Sequence, residues 1–182
     1  MRAAAIALAV LSLPCLADAR PITVGASVGR IQSKANADGD ASDTWQVFGR
    51  IGITPRLGAQ LEVQKIGDPS LDVRSATGLL VVELANNPHL MPLLVAGFGV
   101  DKASSPYYYE ATGTHTEGGF GLEYRFDGGL VIGGDVRLGG RSVNETYYAQ
   151  PLEGDVIALY APSGTLAPGE YRSARIYAAI RF

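Results

Sequence analysis

Among its 182 residues the chain has one cysteine, two histidines, two methionines and one tryptophan. A lone cysteine has no partner within the chain, so a disulfide framework is excluded. Neither sign of charge dominates: 15 basic residues face 18 acidic ones, for a formal charge of −3. That is not the basic excess of a nucleic-acid binder. Charged residues make up only 18% against 47% hydrophobic, which is not the composition of a disordered chain. Long apolar runs are scarce as well. The longest lies at the N-terminus and is too short for a spanning helix. Beyond it, no segment repeats its apolar residues with a period of 3.6. What the chain does have is glycine, 23 residues of it.

The N-terminus reads as an export signal. Arg2 is the positive start, Ala3 to Pro14 the apolar segment, and Ala17-Asp18-Ala19 the small-x-small cleavage site. This divides the chain into a signal peptide over 1–19 and a single domain over 20–182. Cleavage after Ala19 removes Cys15, and thiol chemistry goes with it. A lipoprotein signal at Cys15 fits less well, because Pro14 stands where a small residue is wanted.

The remainder alternates with period 2, the mark of a strand with two different faces. From Thr114 to Phe126, Phe120, Leu122, Tyr124 and Phe126 share one face, and Glu117, Gly119, Gly121, Glu123 and Arg125 the other. After the turn Asp127-Gly128-Gly129, Leu130, Ile132, Val136 and Leu138 oppose Gly133, Asp135, Arg137 and Gly139. At the end of the sequence Ile176, Ala178, Ile180 and Phe182 oppose Arg175, Tyr177, Ala179 and Arg181. Similar runs cover Ile22 to Ile31, Trp45 to Ile53, Leu57 to Lys65, Val73 to Ala85 and Leu90 to Asp101. That makes eight strands, each near the ~9–11 residues that cross a bilayer at a tilt.

Connections alternate too. Thr54-Pro55-Arg56, Asn86-Asn87-Pro88-His89 and Asp127-Gly128-Gly129 are short. Lys34 to Asp43, Gly67 to Asp72, Ala103 to Gly113 and Ser142 to Glu170 read as longer polar loops. Short turns at one end and long loops at the other fit an outer-membrane barrel.

Alternation does not say which face is outside. Three features point the polar face inward. It is rich in Gly, which weakens a water-facing strand but suits a narrow barrel bore. It carries both signs in equal number, with Glu62, Glu83, Glu117, Glu123 and Asp135 against Arg50, Arg125, Arg137, Arg175 and Arg181. Arginine with carboxylate suits buried bidentate pairing. Finally, aromatics gather near strand ends: Trp45, Tyr107, Tyr108, Tyr109 and Tyr171 toward the long loops, Tyr124, Phe126 and Phe182 toward the short turns. Two such girdles mark the two membrane interfaces. The expected fold is all-β, an eight-stranded antiparallel up-and-down transmembrane β-barrel.

On this pattern, and on the last strand Ile176-Tyr177-Ala178-Ala179-Ile180-Arg181-Phe182, the chain resembles the small eight-stranded outer-membrane barrels of Gram-negative bacteria, the OmpA transmembrane domain and OmpX type. The resemblance implies location in the outer membrane, with outer-membrane lipid and lipopolysaccharide as surroundings. It implies that the strand ending at Phe182 engages the barrel-assembly machinery. It also leaves the long loops open to host or environmental ligands.

Candidates for chemistry are few. His89 reads as a solvated turn residue. By phase, His115 shares the inner face with Glu117, and a His beside a carboxylate has the makings of a general base. Ser104 and Ser105 precede it, but no local motif ties either to His115 as a nucleophile. Asn36, Asp38, Asp40 and Asp43 lack the bidentate Glu of an EF-hand. Gly97-Phe98-Gly99 has no helix after it to make a phosphate cradle. The segment 156–161 is an apolar stretch within the last long loop, read as a hairpin extension, a lid or an adhesive surface. The reading is a non-enzymatic barrel with a structural, surface-interaction or envelope-integrity role, its lumen closed by Arg/Glu pairs. It assigns no catalytic residue, cofactor or metal ligand. The alternatives are a lipid-modifying enzyme with a rim site around His115, and a narrow-pore porin-like protein.

Overall fold

The computed structural model describes residues 21–34, 41–67, 72–85, 87–105, 109–147 and 168–182. The expected signal peptide over 1–19, Tyr107, Tyr108, Asn36, Asp38, Asp40 and the segment 156–161 lie outside the described residues. Eight strands follow in order: β1 (Ile22–Ser33), β2 (Ser42–Gly52), β3 (Leu57–Ile66), β4 (Asp72–Glu83), β5 (Leu90–Ser105), β6 (Tyr109–Arg125), β7 (Leu130–Tyr147) and β8 (Gly169–Arg181). Each pairs antiparallel with the next, and β8 pairs with β1 to close the barrel. Closure leaves no unpaired edge, the condition a β-structure must meet in lipid.

The seam between β8 and β1 is held to its end. Phe182 N–H donates to Ile22 O at 2.9 Å, and Ile22 N–H donates back to Phe182 O at 3.3 Å. Short turns carry their own polar groups. Thr54 Oγ1 accepts from Leu57 N–H at 3.0 Å, and Asn87 Oδ1 accepts from His89 and Leu90 N–H at 2.9 and 3.1 Å. Between β6 and β7, Gly129 sits at φ +81°, in the left-handed region that favours glycine.

Register fixes the faces, since a slip of one residue would invert every side chain. Leu61, Phe98, Leu138 and Ile176 are 63–71% exposed on the outer wall. Glu62, Glu123 and Arg137 are 2–3% exposed in the lumen. The alternation inferred from sequence holds on every strand. In water, each exposed large apolar side chain forgoes roughly 1.5–3 kcal/mol of burial. Over a whole apolar band this exceeds the net stability of a domain, about 5–15 kcal/mol. The outer wall is therefore built for lipid.

The expected loop over 103–113 is largely strand, and the expected loop over 142–170 begins as one. Ala103–Ser105 belongs to β5, Tyr109–Gly113 to β6, and Ser142–Tyr147 to β7. These segments are polar on the outward side, which suggested loops. Inward they present Ala103 and Ala111, both fully buried, so the ladder continues past the apolar band.

Candidate functional site in the barrel lumen

The lumen is filled in layers. Toward the short turns lie Val81, Met91, Leu93 and Val95, with Phe48, Val131, Tyr177 and Ala179 beside them. The Phe48 and Tyr177 rings meet edge-on at 5.5 Å. Tyr177 lies flat against Gly133, where a Cβ would come within 2.6 Å of the ring. The missing side chain on β7 is what makes room for the aromatic on β8.

Charged groups occupy the middle and, with Arg125 and Glu83, reach the short-turn ends of β6 and β4. Glu123 on β6 accepts from Arg50 Nη1 on β2 at 2.6 Å, from Arg125 Nη2 at 2.9 Å and from Tyr177 Oη at 3.0 Å. Arg125 also reaches Glu83 at 2.6 Å, and Arg50 Nε donates to Gln60 at 2.6 Å. Glu62 on β3 takes two guanidinium groups. Arg137 donates to it at 3.0 and 3.1 Å, and Arg175 at 2.8 and 2.9 Å. The same arginines bind Asp135, each with Nε to Oδ1, at 3.0 and 2.8 Å. Glu117 joins Arg137 and accepts from Tyr171 Oη at 3.0 Å. Every carboxylate in this set accepts at least two hydrogen bonds. A buried ion tolerates the loss of water only on that condition.

Nearer the long-loop end, Asp101 Oδ2 lies 2.9 Å from His115 Nδ1, and His115 Nε2 lies 3.0 Å from Thr77 Oγ1. Arg141 Nε donates to the same Asp101 oxygen at 2.8 Å and sets its guanidinium 5.0 Å from the Tyr171 ring centre. A carboxylate at Nδ1 assigns the proton there, so Nε2 accepts from the Thr77 hydroxyl. Above this network Ile31, Ile66, Val73, Ala103, Ala111 and Tyr171 form an apolar cluster.

Several sequence expectations are corrected here. His115 shares the inner face with Glu117, as its phase implies, but the carboxylate it bonds is that of Asp101, with Thr77 at its other nitrogen, while Glu117 is drawn to Arg137 and Tyr171. Tyr171 is not a girdle residue. It is 6% exposed and points into the lumen, in phase with Arg175 and Tyr177. Arg181 makes no ion pair among the described residues, whereas Arg141 and Asp101, absent from the expected set, do. Ser104 lies in the β5–β6 ladder opposite Glu110 and not in a loop beside His115. His89 is more than a solvated turn residue. Its ring is stacked at 6.1 Å on Tyr124 in the short-turn girdle.

Aspartate, histidine and hydroxyl stand in the order of an acyl-transfer triad. Thr77 and His115 are each 4% exposed, and Arg141 competes for the carboxylate that would stabilise an imidazolium. The arrangement is a buried polar layer under an apolar cap, in which Asp101 Oδ1 is left without a hydrogen-bond partner.

No family model and no curated protein matches the chain. Solved structures do. Neisserial surface protein A is 12% identical, with 90% of this chain and 97% of that one covered, at a TM-score of 0.57. The N-terminal β-barrel domain of Pseudomonas aeruginosa OprF is 16% identical, with 88% and 97% covered, at a TM-score of 0.55. The fold is that of the small outer-membrane β-barrels. A major outer membrane protein from Thermus thermophilus is also similar, at 14% identity, 91% and 100% coverage and a TM-score of 0.50.

Proposed function

We propose that this chain is an integral outer-membrane barrel of a Gram-negative bacterium, with a structural, surface-interaction or envelope-integrity role and a lumen that does not conduct. The observation that carries the reading is the crossing of the bore by paired ions within a wall whose outside is an apolar band. Arg50–Glu123 and Arg137–Glu62 span it at separate levels. Eight strands enclose a space that side chains alone fill. The barrel-assembly machinery is its partner during insertion, through the strand that ends at Phe182. Lipopolysaccharide is its neighbour afterwards, and the loops opposite the short turns are its contact surface for host or environmental ligands.

The experiment is membrane fractionation followed by gel migration with and without boiling. An outer-membrane band whose mobility changes on boiling supports an inserted, stable barrel. A soluble periplasmic protein of unchanged mobility would overturn the reading. Acyl release from lipopolysaccharide or phospholipid by the purified protein, lost in His115→Ala, would replace the non-enzymatic role with a lipid-modifying one.

A further inference from the structure

One arginine inside the lumen is left over. Arg50, Arg125, Arg137, Arg141 and Arg175 each hold a carboxylate at 2.6–3.0 Å. Arg181 points inward on β8, in phase with Tyr177 and Ala179. Among the described residues its side chain forms neither an ion pair nor a hydrogen bond. It sits half-buried at the short-turn mouth of the bore.

The excess has a structural cause. The glutamates near this end, Glu83 on β4 and Glu123 on β6, are already saturated. Glu83 takes both of its bonds from Arg125, at 2.6 and 3.1 Å. Glu123 has Arg50 and Tyr177 on one oxygen and Arg125 on the other. Arg181 lies within electrostatic reach of the same Arg50 and Arg125 as well as of both carboxylates. The layer therefore carries one guanidinium more than it has carboxylates. Strands β1 and β2 do not correct this, because their inward residues at this end are Thr23 and Gly52. Thr23 stands opposite Arg181 on one side and opposite Arg50 on the other. A buried hydroxyl thus lies in the row between two inward arginines.

We propose that the short-turn mouth binds one small tetrahedral oxyanion of the phosphate class, held by the Arg181 guanidinium and the Thr23 hydroxyl. The site goes beyond the role proposed above and rests on it only for direction, since the membrane reading turns this mouth toward the periplasm. Charge complementarity selects the sign of the occupant, because an anion here offsets the unmatched guanidinium. Donor geometry selects its shape. The guanidinium fork places two parallel N–H bonds on an oxyanion. That fork alone occupies both oxygens of a planar carboxylate, whereas a tetrahedral anion keeps further oxygens for the hydroxyl. Size follows from the bore, which in an eight-stranded barrel is too narrow for a folded partner. Arg172, on the outer wall of the same strand, has no comparable role, since it donates to Gln32 at 2.8 Å.

The test is an NMR titration of the full-length folded barrel in a maltoside detergent, with isotope-labelled arginine and the Nε–H signals followed one by one. Inorganic phosphate is the probe and acetate the comparison, both at constant ionic strength. The Arg181 signal should shift along a saturating curve with phosphate, while that of Arg172 should not saturate. A hydrogen bond to a charged group is worth at least about tenfold in affinity. Arg181→Gln is therefore expected to weaken phosphate binding by at least about tenfold, and Arg172→Gln by less than about twofold. Thr23→Val, which keeps shape and charge, should weaken it by about threefold. That variant keeps the site testable if Arg181→Gln does not fold. The site is overturned if phosphate does not saturate the wild type, if acetate binds as tightly as phosphate, or if either Arg181→Gln or Thr23→Val binds like wild type. Those outcomes leave the boiling-dependent mobility and the membrane reading standing. A wild-type protein that fails to enter bilayers would instead overturn the membrane reading, while the titration in detergent still decides the anion site.

Discussion

Arg50 on β2 and Glu123 on β6 meet at 2.6 Å from opposite sides of the barrel, four strands apart in a closed ring of eight. Glu62 on β3 and Arg137 on β7 repeat the relationship at 3.0 Å. Neighbouring strands are already joined by their ladders. A pair that spans the bore instead ties walls that no backbone hydrogen bond connects, and it occupies the axis along which a solute would pass.

The first consequence concerns stability. Glu123→Ala would leave Arg50 and Arg125 short of a buried counter-ion, a loss of about 3–5 kcal/mol for a fully buried pair. Asp127→Ala changes a side chain that is 96% exposed and should stay within about 0.5 kcal/mol of wild type. Urea titration of the protein folded into lipid vesicles reads both. Equal midpoints for the two variants would contradict the crossbar.

A second consequence is electrical. In planar bilayers the purified wild type should show no large, stable, porin-like conductance. Glu62→Ala/Arg137→Ala removes one crossbar, along with the carboxylate that holds Arg175, and should raise the frequency of brief openings. Steady porin-like currents from the wild type would leave the barrel standing and remove the closed lumen.

The barrel itself was legible because its outer face is written in large apolar residues at every second position. Leu122 and Glu123 sort to opposite faces by arithmetic alone. Partners inside the lumen were not legible, since a phase says only that a side chain points inward. His115 and Glu117 lie two residues apart on one strand, yet the closed ring brings β4 and β5 to His115, and Thr77 and Asp101 take its two nitrogens. Tyr171 was misread for a different reason. Its nearness to the long-loop end suggested a girdle, although its phase with Arg175 and Tyr177 already placed it inside. The extra length of β5, β6 and β7 was hidden because their outward positions there are polar, as a strand above the lipid allows.

Aromatic packing over glycine gives a third prediction. Gly133→Ala would drive a Cβ into the Tyr177 ring, and Tyr177 would have to give up its place beside Phe48 and its bond to Glu123. Overpacking of this kind costs about 1–3 kcal/mol. Tyr177→Leu alone should also destabilise, but Gly133→Ala added to it should cost much less than in the wild-type background. Strict additivity in this double-mutant cycle would mean that the ring and the glycine are independent.

The outer wall can be tested by burying a charge in lipid. Val136 is 58% exposed and stands amid the outward apolar run Leu130 to Leu138 on β7. Val136→Arg should cost about 2–4 kcal/mol near the bilayer midplane, whereas Val136→Ile should be nearly neutral. Vesicle-folding titrations measure the difference. If both variants fold with wild-type midpoints, the apolar band does not face lipid.

Phe182 allows assembly to be separated from stability. Its side chain is 78% exposed on the outer wall, in phase with Ile180 and Ile176, while its backbone closes the seam with Ile22. Deleting the residue removes both the ring and those hydrogen bonds, so a deletion alone does not distinguish the two roles. Phe182→Ala keeps the backbone and removes only the ring. Because that ring packs against no buried core, folding of Phe182→Ala into vesicles from urea should stay within about 1 kcal/mol of wild type. In cells the same variant should fall several-fold in outer-membrane abundance and collect in the periplasm, where proteases reach it. Phe182→Tyr, which keeps a terminal aromatic, should restore the level. Normal abundance of Phe182→Ala in the outer membrane would count against an assembly role for the last residue. A matching loss of stability in vesicles would recast it as a structural clasp on the β1–β8 seam.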